Sequence, residues 1–175
     1  TSFDPVGSFS QMMFLDDVRF TESYVKVDLN PSPIDENSSV TATLTLVGAL
    51  DLSKATAVTL DWGDQVVSAT LPAGQLTTTF THLYRDDNPS FTPQDTIGLV
   101  ATSNNTVAGG KADLTVRNVV PKIESLLLDQ VEIDEGDTVQ LEAMFSDRSP
   151  QDRFDVEILW GDGTVTNLSK AAGDY

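Results

Sequence analysis

Two tryptophans 98 residues apart, each followed by glycine and aspartate, constrain this chain more than any other feature: Trp62-Gly63-Asp64 and Trp160-Gly161-Asp162-Gly163. The stretches ahead of them repeat as well. Ile34-Asp35-Glu36 returns as Ile133-Asp134-Glu135, an offset of 99. At that offset Val40, Ala42, Leu44 and Leu46 fall on Val139, Leu141, Ala143 and Phe145, all keeping the same parity. Val58, Leu60 and Trp62 then fall on Val156, Ile158 and Trp160 at an offset of 98, so one residue is lost in the loop between. Agreement of identity and parity over such a span marks an internal repeat.

The repeating unit reads as β-structure. Apolar residues alternate with threonine from Val40 to Leu46, and Val58, Leu60 and Trp62 alternate with Thr59 and Asp61. That period of two describes strands with one buried face. Further strands are predicted at Val66–Leu71, Leu76–His82, Thr96–Ala101 and Lys111–Val119, the last with Ala112, Leu114 and Val116 inward. Pro72-Ala73-Gly74, Asp86-Asp87-Asn88-Pro89 and Ala108-Gly109-Gly110 supply turn chemistry between them. A repeat of this length fits a sandwich of roughly 100 residues.

Three regions follow. Residues 1–22 hold Met12, Phe14 and Leu15-Asp16-Asp17-Val18-Arg19-Phe20, read as a terminal strand of a preceding β domain. Residues 23–120 form a complete sandwich, and 121–175 the N-terminal half of a second. Val119-Val120-Pro121 is the joint, where proline fixes one backbone angle and extends the residue before it. Half a sandwich cannot bury its inner face, so the last region is expected to need completion.

The charge balance narrows the partners. There are 27 acidic against 10 basic side chains, a net charge of -17. Such a field repels nucleic acid and anionic membranes, whose phosphates need lysine and arginine. It attracts divalent cations. Without cysteine there are no disulfides, thiolate metal sites or cysteine nucleophiles. No apolar run approaches the ~20 residues of a membrane-spanning helix.

Residues 31–175 resemble the polycystic-kidney-disease-type (PKD) repeats, immunoglobulin-like β-sandwiches found in tandem in secreted and cell-surface proteins. The resemblance rests on the turn at 160–163 and on Glu135-Gly136-Asp137-Thr138-Val139 leading to Phe145-Ser146-Asp147. It rests also on Phe80-Thr81-His82-Leu83-Tyr84 before Asp86-Asp87-Asn88-Pro89. That stretch, with Asn118-Val119-Val120-Pro121, is similar to repeat arrays of very large bacterial surface proteins. The first copy departs from the family turn in having Gln65 where the second has Gly163. Residues 1–20 are similar to the last strand of bacterial jelly-roll domains, some of which bind carbohydrate. The implied fold class is all-β: tandem immunoglobulin-like sandwiches, the second incomplete.

Candidate sites are sparse. In the Trp-Gly-Asp turns, Asp64 and Asp162 are expected to cap backbone N–H groups and the tryptophans to fill the core beneath. Asp86, Asp87 and Asn88, with Asp95, form a candidate calcium site, because calcium takes six to eight oxygen ligands. A second place for the ion is the joint, where Glu36 or Glu135, Asn118 and Asp147 could meet, as acidic linkers do in cadherin-like arrays. No stretch matches an EF-hand loop. His82 is the one histidine and no Gly-x-Ser-x-Gly occurs, so a packing or turn role is expected of it. Asp16/Asp17 and Asp86/Asp87 are adjacent and on a strand would face opposite ways, wrong for a glycosidase pair. Asn37, Asn104 and Asn167 begin glycosylation sequons, at a frequency near chance in so Ser/Thr-rich a chain.

The expected function is non-catalytic: a structural and adhesive module of a large bacterial surface or secreted protein. It acts as spacer and protein–protein contact, located outside the cell or on its surface (periplasmic or outer surface in a Gram-negative cell). Its partners are other domains of the same protein, neighbouring subunits or polysaccharide, with calcium the one candidate cofactor. One alternative is an envelope filament or complex subunit completed by strand addition. Another is a carbohydrate-binding accessory module of a secreted hydrolase, for which Phe91 and Tyr84 are the candidate loop aromatics.

Overall fold

The computed structural model describes residues 22–87 and 94–170, which form strands, turns and loops with no helix among them. The strand expected at 15–20, and Asn88 and Phe91, lie outside the described residues. In chain order the strands are β1 (Tyr24–Asn30), β2 (Ile34–Asp35), β3 (Ser38–Val47), β4 (Thr56–Asp61), β5 (Val66–Leu71) and β6 (Thr77–Tyr84). They continue as β7 (Gln94–Ser103), β8 (Gly110–Arg117), β9 (Lys122–Leu128), β10 (Leu141–Ser146), β11 (Phe154–Leu159) and β12 (Val165–Lys170).

Two sheets share one core. One has the order β1-β3-β6 and the other β2-β8-β7-β4-β5, with every pairing antiparallel except β2 on β8. Alternation in sequence becomes alternation in space: Val40, Ala42, Leu44 and Leu46 of β3 point inward while the threonines between them sit at the outer face. Across the core they meet Val58 and Leu60 of β4, Leu99 and Ala101 of β7, and Leu114 and Val116 of β8. Burying each Val or Leu contributes about 1.5–3 kcal/mol. The result is an all-β sandwich over residues 24–117.

The strand predicted at Leu76–His82 runs two residues further, to Tyr84, because β6 keeps pairing with β3 until Ser38 faces Tyr84. The strand predicted to end at Val119 stops at Arg117, where its parallel partner β2 ends. Both shifts move chain ends toward the same corner of the sandwich.

The C-terminal segment repeats the pairing of the sandwich. Leu29 faces Ala42 and Lys26 faces Thr45; 99 residues on, Leu128 faces Leu141 and Ser125 faces Met144. A bulge between Met144 and Phe145 interrupts the ladder. Val139 precedes the strand rather than starting it. β11 and β12 form a hairpin as β4 and β5 do. Here, among the described residues, Phe154 is the buried apolar side chain, packed edge-on to Phe145 at 5.0 Å. Ile123, Leu126, Leu127 and Leu128 of β9 are exposed.

The two Trp-Gly-Asp turns differ more than their sequences suggest. In the first, Asp61 faces Val66 and residues 62–65 close the loop; in the second, Leu159 faces Val165 and residues 160–164 do. Gly163, at φ +95°, is thus an added residue with no counterpart in the first turn, and Gln65 corresponds to Thr164. Asp162 behaves as expected, accepting from the Thr164 N–H at 2.8 Å and hydroxyl at 2.6 Å. Asp64 does not. Asp61 takes the Gly63 N–H at 2.9 Å, which leaves Asp64 to bond His82 Nε2 at 3.0 Å. Trp62 fills the core, whereas Trp160 is half-buried, its Nε1 donating to Thr166 Oγ1 at 2.9 Å.

Candidate functional site

Strand register assembles an acidic cluster at one end of the sandwich. β3 and β6 are antiparallel with Ser38 opposite Tyr84, so the residues just before β3 lie beside those just after β6. Glu36 is thereby placed against Asp86 and Asp87. The parallel pairing of Ile34 with Val116 and Asp35 with Arg117 brings the end of β8 to the same turn. There the Glu36 N–H donates to the Arg117 carbonyl at 2.9 Å, and the Val119 N–H donates to Glu36 Oε1 at 2.6 Å. Asn37 takes a φ of 51°, a left-handed conformation that asparagine tolerates, and this turns the chain into β3.

The loop between β10 and β11 closes the cluster from the other side. Asp147 Oδ1 accepts the Ser149 N–H at 2.8 Å, and Ser149 Oγ accepts the Gln151 N–H at 3.1 Å. These side-chain turns coil the loop so that Asp147 and Asp152 face Glu36. Arg148 points outward and clamps the 35–38 turn. Its Nη1 lies 3.3 Å from Asp35 Oδ2, its Nη2 donates to Ser38 Oγ at 2.8 Å, and its carbonyl accepts from Asn37 Nδ2 at 3.0 Å. Arg117 holds the other Asp35 oxygen at 2.9 Å.

Two triads result, Glu36–Asp147–Asp152 and Glu36–Asp86–Asp87, each with carboxylate oxygens within 4.8 Å of one another and Glu36 common to both. Glu36 is 0% exposed and Asp152 6%. Glu36 Oε2, Asp152 Oδ1 and Asp147 Oδ2 are buried without a hydrogen-bond partner among the described residues, as is Asn118 Oδ1 next to Val119. Burial pushes Glu36 up to about 7, against the Val119 N–H, with Asp152, Asp147 and Asp87 raising it further. Burial, then Asp147 and Asp86, lifts Asp152 to about 6. An all-oxygen set of this kind suits a hard cation; nothing in it resembles a nucleophile and its base.

The expected site residues are thus divided. Asp86 and Asp87 belong to the cluster; Asp95 lies in neither triad and caps the Thr96 N–H at 2.8 Å. Glu36 and Asp147 meet at the joint, while Glu135 is exposed in a separate turn. Asp152 went unrecognised in the sequence. The one signal for it is a charge reversal: counting back from β11 and β4, Asp152 stands where the sandwich has Lys54, and counting on from β10 and β3, Asp147 stands at Gly48.

His82 stacks on Trp62 at 5.3 Å, a packing position. Tyr84, considered as a loop aromatic, is instead buried, its hydroxyl donating to the Trp62 carbonyl at 2.7 Å, and burial raises its pKa. It cannot serve as an exposed stacking platform. No helix among the described residues is long and apolar enough to cross a membrane. Compared with known proteins, the chain matches no family model and no curated sequence.

Proposed function

We propose that this chain is a non-catalytic structural module of a secreted or cell-surface protein, acting as a spacer that sets two PKD-type, immunoglobulin-like units end to end. Residues 23–120 are the first unit and 121–175 the first half of the next. The repeated β-pairing register supports the tandem reading. The observation that carries the spacer function is the clamp on the 35–38 turn. Side chains and backbone of the 147–152 loop reach it from one side, and the chain leaving β8 reaches it from the other. A joint gripped at several points transmits orientation, which a single flexible linker does not.

Residual dipolar couplings on the 175-residue chain test this. One alignment tensor should fit the amides of β1–β8 and β9–β12 together, and Arg148→Ala should separate the two fits. Independent tensors in the unmodified chain would sink the reading.

A second reading, a subunit completed by strand addition, is favoured by the exposed apolar residues of β9. It calls for concentration-dependent association in sedimentation velocity, and a strictly monomeric chain would reject it.

A further inference from the structure

We propose that the joint cluster is a calcium site, with Glu36 the ligand that belongs to both halves. Clustered acids alone would not warrant this, since acidic groups gather on many surfaces. Here a side chain that is 0% exposed, Glu36, presents Oε2 with no hydrogen-bond partner among the described residues, and Asp152, 6% exposed, does the same with Oδ1. Buried polar atoms are almost always satisfied, and an unsatisfied carboxylate oxygen costs more than a neutral group. Each of the two residues brings a carboxylate oxygen within 4.8 Å of other carboxylates. The two arginines at the 35–38 turn are engaged there: Arg148 holds Asp35 and Ser38, and Arg117 holds Asp35.

Calcium fits on three counts. Its ligands are oxygens at about 2.3–2.6 Å, so atoms around one ion lie no more than about 5 Å apart, a limit each triad meets. Its loose geometry tolerates ligands drawn from a turn, a strand end and a separate loop, whereas magnesium demands a near-ideal octahedron at about 2.0–2.1 Å. Its charge offsets the mutual repulsion of Glu36, Asp86, Asp87, Asp147 and Asp152. Glu36 belongs to both triads, so an ion held by Glu36, Asp147 and Asp152 links the sandwich to the 147–152 loop directly. This inference does not depend on the spacer reading, because the site could chelate an ion whatever the module does.

Isothermal titration calorimetry on the full 175-residue chain, stripped with EGTA and titrated with calcium chloride at neutral pH and 150 mM salt, decides it. The expected result is saturable binding with a dissociation constant between about 10⁻⁷ and 10⁻³ M, and weaker binding of magnesium. Glu36→Gln should weaken calcium binding roughly tenfold or more, as removal of a charged ligand does. Asp147→Asn, in the partly exposed loop, should weaken it also and keeps the test alive if Glu36→Gln does not fold. Asp113→Asn, an exposed acid on β8, should leave it unchanged. Absence of saturable heat, equal affinity for magnesium, or equal affinity in Asp147→Asn and Asp113→Asn would each overturn the proposal.

Discussion

Glu36 shows how one side chain can favour opposite states of a protein under different conditions. Its folded-state pKa, about 7, lies above the ordinary 4.5, as does that of Asp152, about 6 against 3.8. Without metal the folded state therefore binds more protons than the unfolded one between roughly pH 4 and 7, and its stability falls as pH rises through that window. Calcium requires the deprotonated acids, so saturating calcium should abolish or reverse the slope. Thermal unfolding at pH 5 and 7.5, in EGTA and in calcium, checks both signs; a metal-free chain that gains stability with pH would contradict them. In EGTA at pH 7.5, Glu36→Gln should raise the melting temperature, since it removes a buried charge facing other acids. The tryptophans give a second residue-scale prediction. Trp62→Ala should cost about 3–5 kcal/mol, and Trp160→Ala clearly less because its ring is only half-buried. Chemical denaturation monitored on the sandwich would show equal costs if the two rings were equivalent. Sequence alone treats them as equivalent, for both follow the same alternation and precede the same Gly-Asp pair. It also assigned Asp64 the role that Asp61 takes, because two acids flank that turn and only geometry selects between them.

At the scale of elements, strand identity was legible and strand meeting points were not. Alternation is local, so β3, β4 and β5 could be read from single stretches, and the inward faces of β3 and β8 follow from parity. The site depends instead on register between strands far apart in sequence: Ser38 against Tyr84, and Asp35 against Arg117. Glu36, Asn118 and Asp147 could be named as a set because each lies at a strand end beside the joint. Asp152 sits within a loop of polar residues with no periodicity to mark it. Close strand packing makes its own prediction. A Cβ on Gly110 would lie 2.2 Å from the Val25 carbonyl oxygen, so Gly110→Ala must push β1 away from β8. It should destabilise the sandwich by about 1–3 kcal/mol, with faster hydrogen exchange at β1 amides before those of β4 and β7. Unchanged β1 protection would mean the strands can separate without cost.

For the whole molecule, the proposed calcium link across the joint predicts a measurable change in shape. Small-angle scattering in calcium should give a narrower distribution of maximum dimensions than in EGTA, and Asp147→Asn should keep the broader distribution in both. Identical curves under all conditions would remove the ion from any mechanical role. The ligand set is also divided unequally. The sandwich presents Glu36, Asp86 and Asp87 at one end, and the segment after it answers with Asp147 and Asp152. At the positions matching that answering pair, the sandwich itself carries Gly48 and Lys54. It has a socket and no plug. Coupling of this kind has a direction: two copies of the sandwich cannot join through it in either order, and exchanging the two units along the chain would erase it.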